Sequence, residues 1–285
     1  MRPAQLLMFW DYDTQWGTDA DRRRGLPELP ASGRLEFECT ERLLELHARY
    51  QIPACFAVVG AAALPGGRPY HDHEQVRALH AAGHEVASHG FRHEWIPELT
   101  AHELDEMVRR SKAVLEHCIG APVTTFVPPY NQPFDHAPGL SFSRSERRLV
   151  PRDRTDLGAL CRALAAAGYG FCRVAYRPLA LRAADRIARR RVDRPGRLES
   201  IGGIRCVRLN TAGGFAEESL ALVERTARSG GIAVVYGHPH SLHAGNTQDE
   251  RWLVPFLDRV DELRAEGRIE AVLPRTLLLQ EAATA

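Results

Sequence analysis

The stretch Leu6-Leu7-Met8-Phe9-Trp10-Asp11-Tyr12-Asp13 decides the fold of this chain. Five consecutive apolar residues predict a buried β-strand, and two carboxylates separated by one residue follow it at once. Because side chains alternate along a strand, Asp11 and Asp13 are expected to point the same way. Two carboxylates this close repel each other unless a cation or a proton separates them. A simpler alternative, in which the two aspartates only shape a turn or cap a helix, stays open.

The rest of the chain alternates short apolar runs with amphipathic stretches. The runs predict strands at 6–10, 54–59, 85–88, 123–127, 171–174, 204–209, 232–236 and 269–273. The amphipathic stretches predict helices at 41–50, 73–82, 100–118, 157–167, 217–227 and 251–264. Thr40 is placed to cap the first of these helices. Thr100 and Glu103 have the spacing of a capping box for the third helix, which is predicted to end at Gly120. This alternation predicts an α/β fold of parallel strands with helices outside, either an open sheet or a barrel, and a single domain over residues 1–285.

Composition limits the classes of partner and compartment. The 285 residues carry a formal net charge of +1, so no global field favours nucleic acid or a membrane surface. No apolar run approaches the roughly 20 residues of a membrane span, so we expect no membrane insertion. The six cysteines form no CxxC pair, which predicts reduced, buried thiols. We therefore expect a cytoplasmic protein, with a homo-oligomer left open.

Polar residues of the types that bind metals or substrates follow four of the predicted strands. They are Asp11-Tyr12-Asp13, His89 to His93, Pro128-Pro129-Tyr130 and His238-Pro239-His240. In parallel α/β folds the chemistry lies at the carboxyl ends of the strands, so these segments are expected to meet.

One carboxylate and two imidazoles make a catalytic type of metal site. If the chain turns helical after Ser88, His89 and His93 fall on one face, and together with Asp13 they are predicted to hold a divalent ion, most simply Zn²⁺. Water activated at such an ion is a nucleophile, for which Asp11 is the predicted base. His238 is the predicted acid, although a loop histidine packed on Pro239 explains it equally well. Other closely spaced histidines, such as His240 and His243, are expected to ligate nothing.

These residues resemble the motifs of the polysaccharide deacetylase family, also called carbohydrate esterase family four. Phe9-Trp10-Asp11-Tyr12-Asp13 resembles the variant of its first motif with one residue between the aspartates. Gly83 to His89, continuing to His93, is similar to the second motif, and Thr125-Phe126-Val127-Pro128-Pro129-Tyr130 to the third. Gly168-Tyr169-Gly170-Phe171 with Arg173 resembles the approach to the fourth, and Val235-Tyr236-Gly237-His238 the fifth.

The resemblance implies a distorted (β/α)7 barrel, zinc or a similar ion, and N-deacetylation of an amino sugar. It also implies that the main-chain N–H of Tyr130 stabilises the oxyanion. Val127 stands where the family has an arginine that orients the base, and Arg173 is the first candidate to replace it. Trp16, Pro129 and Arg173 are the expected substrate-binding residues.

Several alternatives remain from the sequence. One is hydrolysis of a cyclic amide or ureide, as in the allantoinase-like branch, and another is a non-catalytic sugar-binding member. A cytoplasmic enzyme would meet a nucleotide-linked, lipid-linked or small soluble N-acetyl sugar. The arginine cluster between Arg182 and Arg197 is either a phosphate site or a solvated helix face, and the loop 131–144 is a candidate substrate wall.

Overall fold

The computed structural model describes residues 3–26, 32–134, 155–175, 197–211 and 213–282. The strands are β1 (Ala4–Tyr12), β2 (Cys55–Val58), β3 (Glu85–Ser88), β4 (Thr125–Phe126), β5 (Phe171–Val174), β6 (Leu198–Ile201), β7 (Ile204–Arg208), β8 (Ile232–Gly237) and β9 (Ile269–Ala271). The helices are α1 (Thr14–Arg23), α2 (Ser32–Tyr50), α3 (His73–Ala81), α4 (Ala101–Ile119), α5 (Leu157–Ala166), α6 (Glu217–Ser229), α7 (Glu250–Ala265) and α8 (Pro274–Ala282).

The strands form one curled sheet in the order β6-β7-β5-β4-β3-β2-β1-β8, with β9 also paired to β1. Among the described strands, only the β6–β7 pair is antiparallel, and the other seven strands in this order run parallel. This arrangement confirms the predicted distorted (β/α)7 barrel. The limits of the domain at residues 1 and 285 stay a prediction.

Strand β1, between β2 and β8 in the sheet, separates two apolar cores. Leu6, Met8 and Trp10 pack outward into the core shared with the helices. Leu7 and Phe9 pack inward, into a smaller core enclosed by the curve of the sheet. This burial on both faces explains why the strand reads as an unbroken apolar run. The alternation also continues the inward row from Phe9 to Asp11, so the strand delivers that carboxylate to the inner side.

The curve is closed by a side chain rather than by a backbone ladder. Asn210, just beyond β7, donates from Nδ2 to the carbonyl of Ile232 (3.0 Å) and accepts at Oδ1 from the amide of Val234 (2.9 Å). The carboxamide thus satisfies two groups of β8 that a neighbouring strand would otherwise bind. The hydroxyl of Thr211 adds a bond to the carbonyl of Val234 (3.4 Å).

Helix boundaries show where local signals succeed. Thr100 and Glu103 form the predicted capping box, and the predicted stop at Gly120 has a left-handed φ of 68°. The predicted cap at Thr40 is wrong, because α2 begins eight residues earlier. Thr40 lies inside that helix, and its hydroxyl bonds back to the carbonyl of Glu36 (2.6 Å).

Strand β6 and helices α1 and α8 were not predicted from the sequence. All six cysteines are free and buried, as expected. Within the described ranges, no helix is both long and apolar enough to cross a bilayer. The arginine cluster before Arg197, and the loop beyond residue 134, lie outside the described residues.

The closing contact can be tested by removing the carboxamide. Asn210→Ala should lower the free energy of unfolding by about 2–4 kcal/mol, because it leaves a buried N–H and a buried carbonyl without partners. The measurement is the midpoint of urea unfolding. Ser229→Ala, at the exposed end of α6, is the control and should change stability by less than about 0.5 kcal/mol. Equal effects of the two substitutions would show that the closing contact carries no stability.

Candidate active site

The carboxyl ends of β1, β3 and β8 bring five side chains together. Asp11 and Asp13 end β1, His89 and His93 follow β3, and His238 follows β8. Except for His238, whose side chain is 27% exposed, each residue is buried. The sequence therefore predicted correctly which segments meet, because parallel strands direct their carboxyl ends to one rim.

Asp13, His89 and His93 form the group that could hold a metal ion. Asp13 Oδ1 lies 3.3 Å from His89 Nε2 and 3.6 Å from His93 Nε2. Although buried, this oxygen has no hydrogen-bond partner among the described residues. A buried carboxylate oxygen without a donor is costly, and a cation between it and the two ring nitrogens removes that cost. The donor set thus fits a divalent ion.

The protonation states of Asp13 and His93 agree with ligation. Burial raises the pKa of Asp13, but the two facing imidazoles outweigh it and hold that pKa well below its ordinary value. Burial lowers the pKa of His93 to about 4, so its ring is neutral near pH 7. His89 Nδ1 lies 2.7 Å from the carbonyl of Val127, which fixes the proton on Nδ1 and turns the lone pair of Nε2 toward Asp13.

The two histidines converge through a loop, and the helical turn expected after Ser88 is wrong. Residues 89–93 contain no helix. Gly90 and His93 instead adopt left-handed φ values of 74° and 59°, and these two residues turn the chain back on itself. The carboxylate of Glu94 stabilises the turn by accepting from the amides of Phe91 and Arg92, both at 2.8 Å. The ring centroids of the two histidines end 5.1 Å apart.

A glycine lets helix α1 start directly behind the aspartate. The amide of Gly17 donates to the carbonyl of Asp13 (3.1 Å), and a Cβ at position 17 would lie 2.6 Å from the Cβ of Asp13. Any larger residue would therefore displace Asp13. The close approach places the first turn of α1 beside the group that could bind the ion.

The carboxylate of Asp11, on β1, is hydrogen-bonded by Arg173 from β5. Arg173 Nη1 and Nη2 donate to its two carboxylate oxygens at 2.8 and 2.6 Å, and Nη2 also reaches Asn131 Oδ1 at 3.0 Å. The Arg173 side chain is completely buried. Burial raises the pKa of Asp11, but Arg173 outweighs it and holds that pKa below its ordinary value of 3.8. These contacts suit a residue that orients Asp11, rather than the substrate contact expected of Arg173.

The position of this arginine accounts for the valine at 127. Phe126 of β4 pairs with Cys172 of β5, so Val127 lies beside Arg173 on the inner side of the sheet. Val127 itself packs in the inner apolar core. An arginine from β5 therefore reaches the place that an arginine at position 127 would occupy.

His238 stands opposite the two aspartates. Its Nε2 lies 3.9 Å from Asp11 Oδ2 and 3.9 Å from Asp13 Oδ2. Gln248 Oε1 lies 3.1 Å from His238 Nδ1 and accepts from the main-chain amide of His238 at 2.6 Å. Because an amide oxygen only accepts, this contact places a proton on Nδ1 and leaves Nε2 facing the aspartates.

Comparison with known proteins gives the family of this region. A family model for polysaccharide deacetylases matches residues 34–137, which include His89, His93 and Tyr130. This part of the chain is similar to the polysaccharide deacetylase family. The resemblance found in the sequence is thereby confirmed.

Solved structures show that the fold is shared over nearly the whole chain. A proposed polysaccharide deacetylase from Mycobacterium smegmatis is 16% identical, with 99% of this chain and 91% of that chain covered and a TM-score of 0.67. The allantoinase PuuE is 14% identical, with 94% and 86% covered and a TM-score of 0.58. A family 4 carbohydrate esterase from Streptomyces lividans, in complex with acetate, is 13% identical, with 97% and 96% covered and a TM-score of 0.50.

The other residues expected at the site from the resemblance are Tyr130, Pro129 and Trp16. Tyr130 has a left-handed φ of 55°, its ring centroid lies 4.6 Å from that of His93, and its hydroxyl donates to Asp21 (2.9 Å). Pro129 is buried, and Trp16 is half-buried. The role of each in binding substrate stays a prediction.

Beside His93 an open cleft of about 760 Å³ runs between α1 and the loop after β3. We call it the arginine cleft, and the lining residues used below are Trp16, Arg23, Arg24, Arg92, His93 and Trp95.

The sequence analysis assigned no role to three residues near the site, which are Gln248, His240 and Glu36. Gln248 precedes α7 in a loop that has no motif. His240, expected to ligate nothing, bonds through Nδ1 to the fully buried carboxylate of Glu36 (2.9 Å). Burial lowers the pKa of His240, but Glu36 outweighs it and the net shift is upward. Only the tertiary fold joins these residues, since Glu36 lies 204 positions from His240.

The cluster of Asp13, His89 and His93 predicts that removing one of these side chains abolishes ion binding. Asp13→Ala and His89→Ala should each remove stoichiometric metal, because two ligands do not hold a divalent ion tightly. Elemental analysis of the purified proteins is the measurement. Asp105→Ala, an exposed carboxylate on α4, is the control and should keep the metal. Unchanged metal content in the two ligand variants would mean that an ion binds elsewhere.

The buried ion pair of Arg173 with Asp11 predicts that an arginine at position 127 can partly replace the one at position 173. Arg173→Val should lower the free energy of unfolding by about 3–5 kcal/mol, because it leaves a buried carboxylate unpaired. Adding Val127→Arg should recover part of this loss. Urea unfolding of both variants is the measurement. A double variant no more stable than Arg173→Val would show that position 127 does not reach Asp11.

Proposed function

We propose that this chain is a metal-dependent hydrolase that removes the acetyl group from an N-acetylated amino sugar. The observation that carries the proposal is the pairing of an oriented carboxylate with a separate group suited to a metal. Asp11 is fixed by Arg173, while Asp13 keeps a buried oxygen for an ion. A sugar-binding protein would need neither feature.

Asp13, His89 and His93 would hold the ion. Two imidazoles and one carboxylate suit zinc, with the remaining positions open. When bound, the ion supplies Lewis acidity to the acetamide carbonyl and to water. Similarity of residues 34–137 to the polysaccharide deacetylase family supports hydrolysis of an acetyl group on a carbohydrate.

Asp11 is the proposed base. It is ionised near neutral pH, since Arg173 holds its pKa low, and it lies on the same rim as the metal group. In this role it takes a proton from the attacking water at one carboxylate oxygen. The two bonds from Arg173 keep the carboxylate from rotating, and this lowers the entropic cost of reaching the reactive geometry.

His238 is the proposed acid. Gln248 holds its Nδ1, so its Nε2 is the atom that carries a proton to the departing nitrogen of the sugar. That Nε2 lies 3.9 Å from Asp11 Oδ2 and 3.9 Å from Asp13 Oδ2, on the side of the rim where the substrate nitrogen would depart. The main-chain N–H of Tyr130 is the proposed donor to the carbonyl oxygen as it gains charge.

The reaction class can be tested by acetate release. The purified protein, supplied with zinc, is incubated with N-acetylglucosamine and with short N-acetylglucosamine oligomers, and the acetate is quantified. Asp11→Asn should keep the metal and lower kcat by about 10²–10⁴, the usual contribution of a positioned base. Asp105→Asn serves as the matched control and should retain the full rate.

The alternative reaction is ring opening of a cyclic ureide, for which allantoin is the probe. The similarity of fold to the allantoinase PuuE makes it the appropriate comparison. Ring opening without acetate release would replace the proposed substrate class. Full activity after complete removal of metal, or in Asp11→Asn, would overturn the mechanism.

A further inference from the structure

The arginine cleft begins at the metal group and is rich in cationic and aromatic side chains. His93 lines its inner end, so a ligand in the cleft lies next to the proposed metal. Two tryptophans, Trp16 and Trp95, form apolar surfaces on its wall. Three arginines, Arg23, Arg24 and Arg92, supply the positive charge.

Two of the arginines are oriented by aromatic rings. The guanidinium of Arg92 lies 5.2 Å from the ring centroid of Trp16, and that of Arg24 lies 4.3 Å from the ring centroid of Trp95. A guanidinium stacked on an aromatic ring keeps its N–H groups at its edge, where they remain available to an anion. The stacking also reduces the side-chain entropy that a ligand would otherwise have to remove.

The two glutamates of the cleft offset only part of the charge of the three arginines. Glu98 is paired with Arg24 at 3.2 Å. Glu94 accepts two main-chain amides, one on each oxygen, within the turn that carries His93. Among the residues that the structure describes, Arg23 and Arg92 form no ion pair, so their charge faces the cleft uncompensated.

From this geometry we infer that the arginine cleft binds an anionic group, a phosphate or a carboxylate, on the substrate that presents its acetamide to the metal group. Arg23 and Arg92 contact the anion, and Arg24 supports the wall through Trp95 and Glu98. This inference rests on the proposed function for the identity of the reacting group. It narrows the substrate to a charged amino sugar rather than a neutral polymer.

The test compares ligands that differ in charge. Binding of N-acetylglucosamine, N-acetylglucosamine 1-phosphate and N-acetylmuramic acid is measured by calorimetry at physiological salt. The Asp11→Asn protein is used, so that turnover does not interfere. At least one anionic sugar should bind about tenfold or more tightly than the neutral sugar, since charge-assisted bonds to arginine are stronger than neutral ones. The better anion identifies phosphate or carboxylate as the source.

Substitutions then locate the contact. Arg92→Gln and Arg23→Gln should each reduce the preference for the anionic sugar by about threefold to tenfold, and Arg92→Lys should keep part of it. Arg109→Gln, an exposed arginine on α4 whose partner is Asp105, is the control and should leave the preference unchanged. A preference that survives both glutamine substitutions would place the anion elsewhere, on the metal for example, and would overturn the inference.

The two proposals fail in different ways. If all three sugars bind equally, or none binds, the inference is wrong even where acetate is released. If acetate is never released but the anionic preference depends on Arg23 and Arg92, the cleft is an anion site and the proposed reaction is wrong.

Discussion

A buried carboxylate needs a cation, and at this site the two aspartates of β1 meet that need in different ways. Asp11 receives both N–H pairs of Arg173 and is thereby fixed and ionised. Asp13 has no arginine, and its inner oxygen faces two imidazoles whose lone pairs also require a positive partner. An unpaired buried charge costs several kcal/mol. Asp11 is therefore stabilised by an arginine of the protein, whereas Asp13 is left for a metal ion to stabilise.

The fold allows Arg173 to pair with Asp11 because both side chains lie at the same rim of the curled sheet. The inner row of β1 ends in Asp11, and β5 presents Arg173 at the level where β4 has Val127. The pair thus closes the inner apolar core at the rim, with the Arg173 guanidinium 5.2 Å from the ring of Phe9 and 4.5 Å from that of Tyr236. A charged group can sit there because its polar edge faces Asp11 and its planar face lies against aromatic rings.

The sequence predicted the fold and the segments of the site because both depend on local patterns. The apolar run before Asp11 and the positions of the histidines after strands are visible without any tertiary information. The approach of His89 and His93 was predicted by the wrong route, because a four-residue spacing suits a helix as well as a turn with two left-handed residues. Thr40 failed as a cap since a helix start upstream, at Ser32, overrides it.

Residues joined only by the closed fold lay beyond sequence reasoning. Gln248 behind His238, and Glu36 behind His240, come from loops and helices with no recognisable spacing. Arg173 was the first candidate to replace the arginine missing at Val127, and it contacts Asp11, while its role in orienting the base stays a prediction. Which oxygen of which aspartate stays unpaired depends on side-chain geometry, and no pattern in the sequence encodes it.

The closure through Asn210 gives the wall of the barrel an uneven resistance to local opening. Strand β1 is bonded along both edges, whereas the segment after β7 is joined to β8 by the carboxamide of Asn210, the hydroxyl of Thr211 and one main-chain bond from Gly214 to Tyr236. Opening of the wall at that junction leaves the backbone ladders between the parallel strands intact. His238 and the two aspartates lie on the same side of that junction, because β8 pairs with β1 from Gln5 to Trp10. The spacing between the proposed acid and the proposed base would thus be kept while the wall opens beside them.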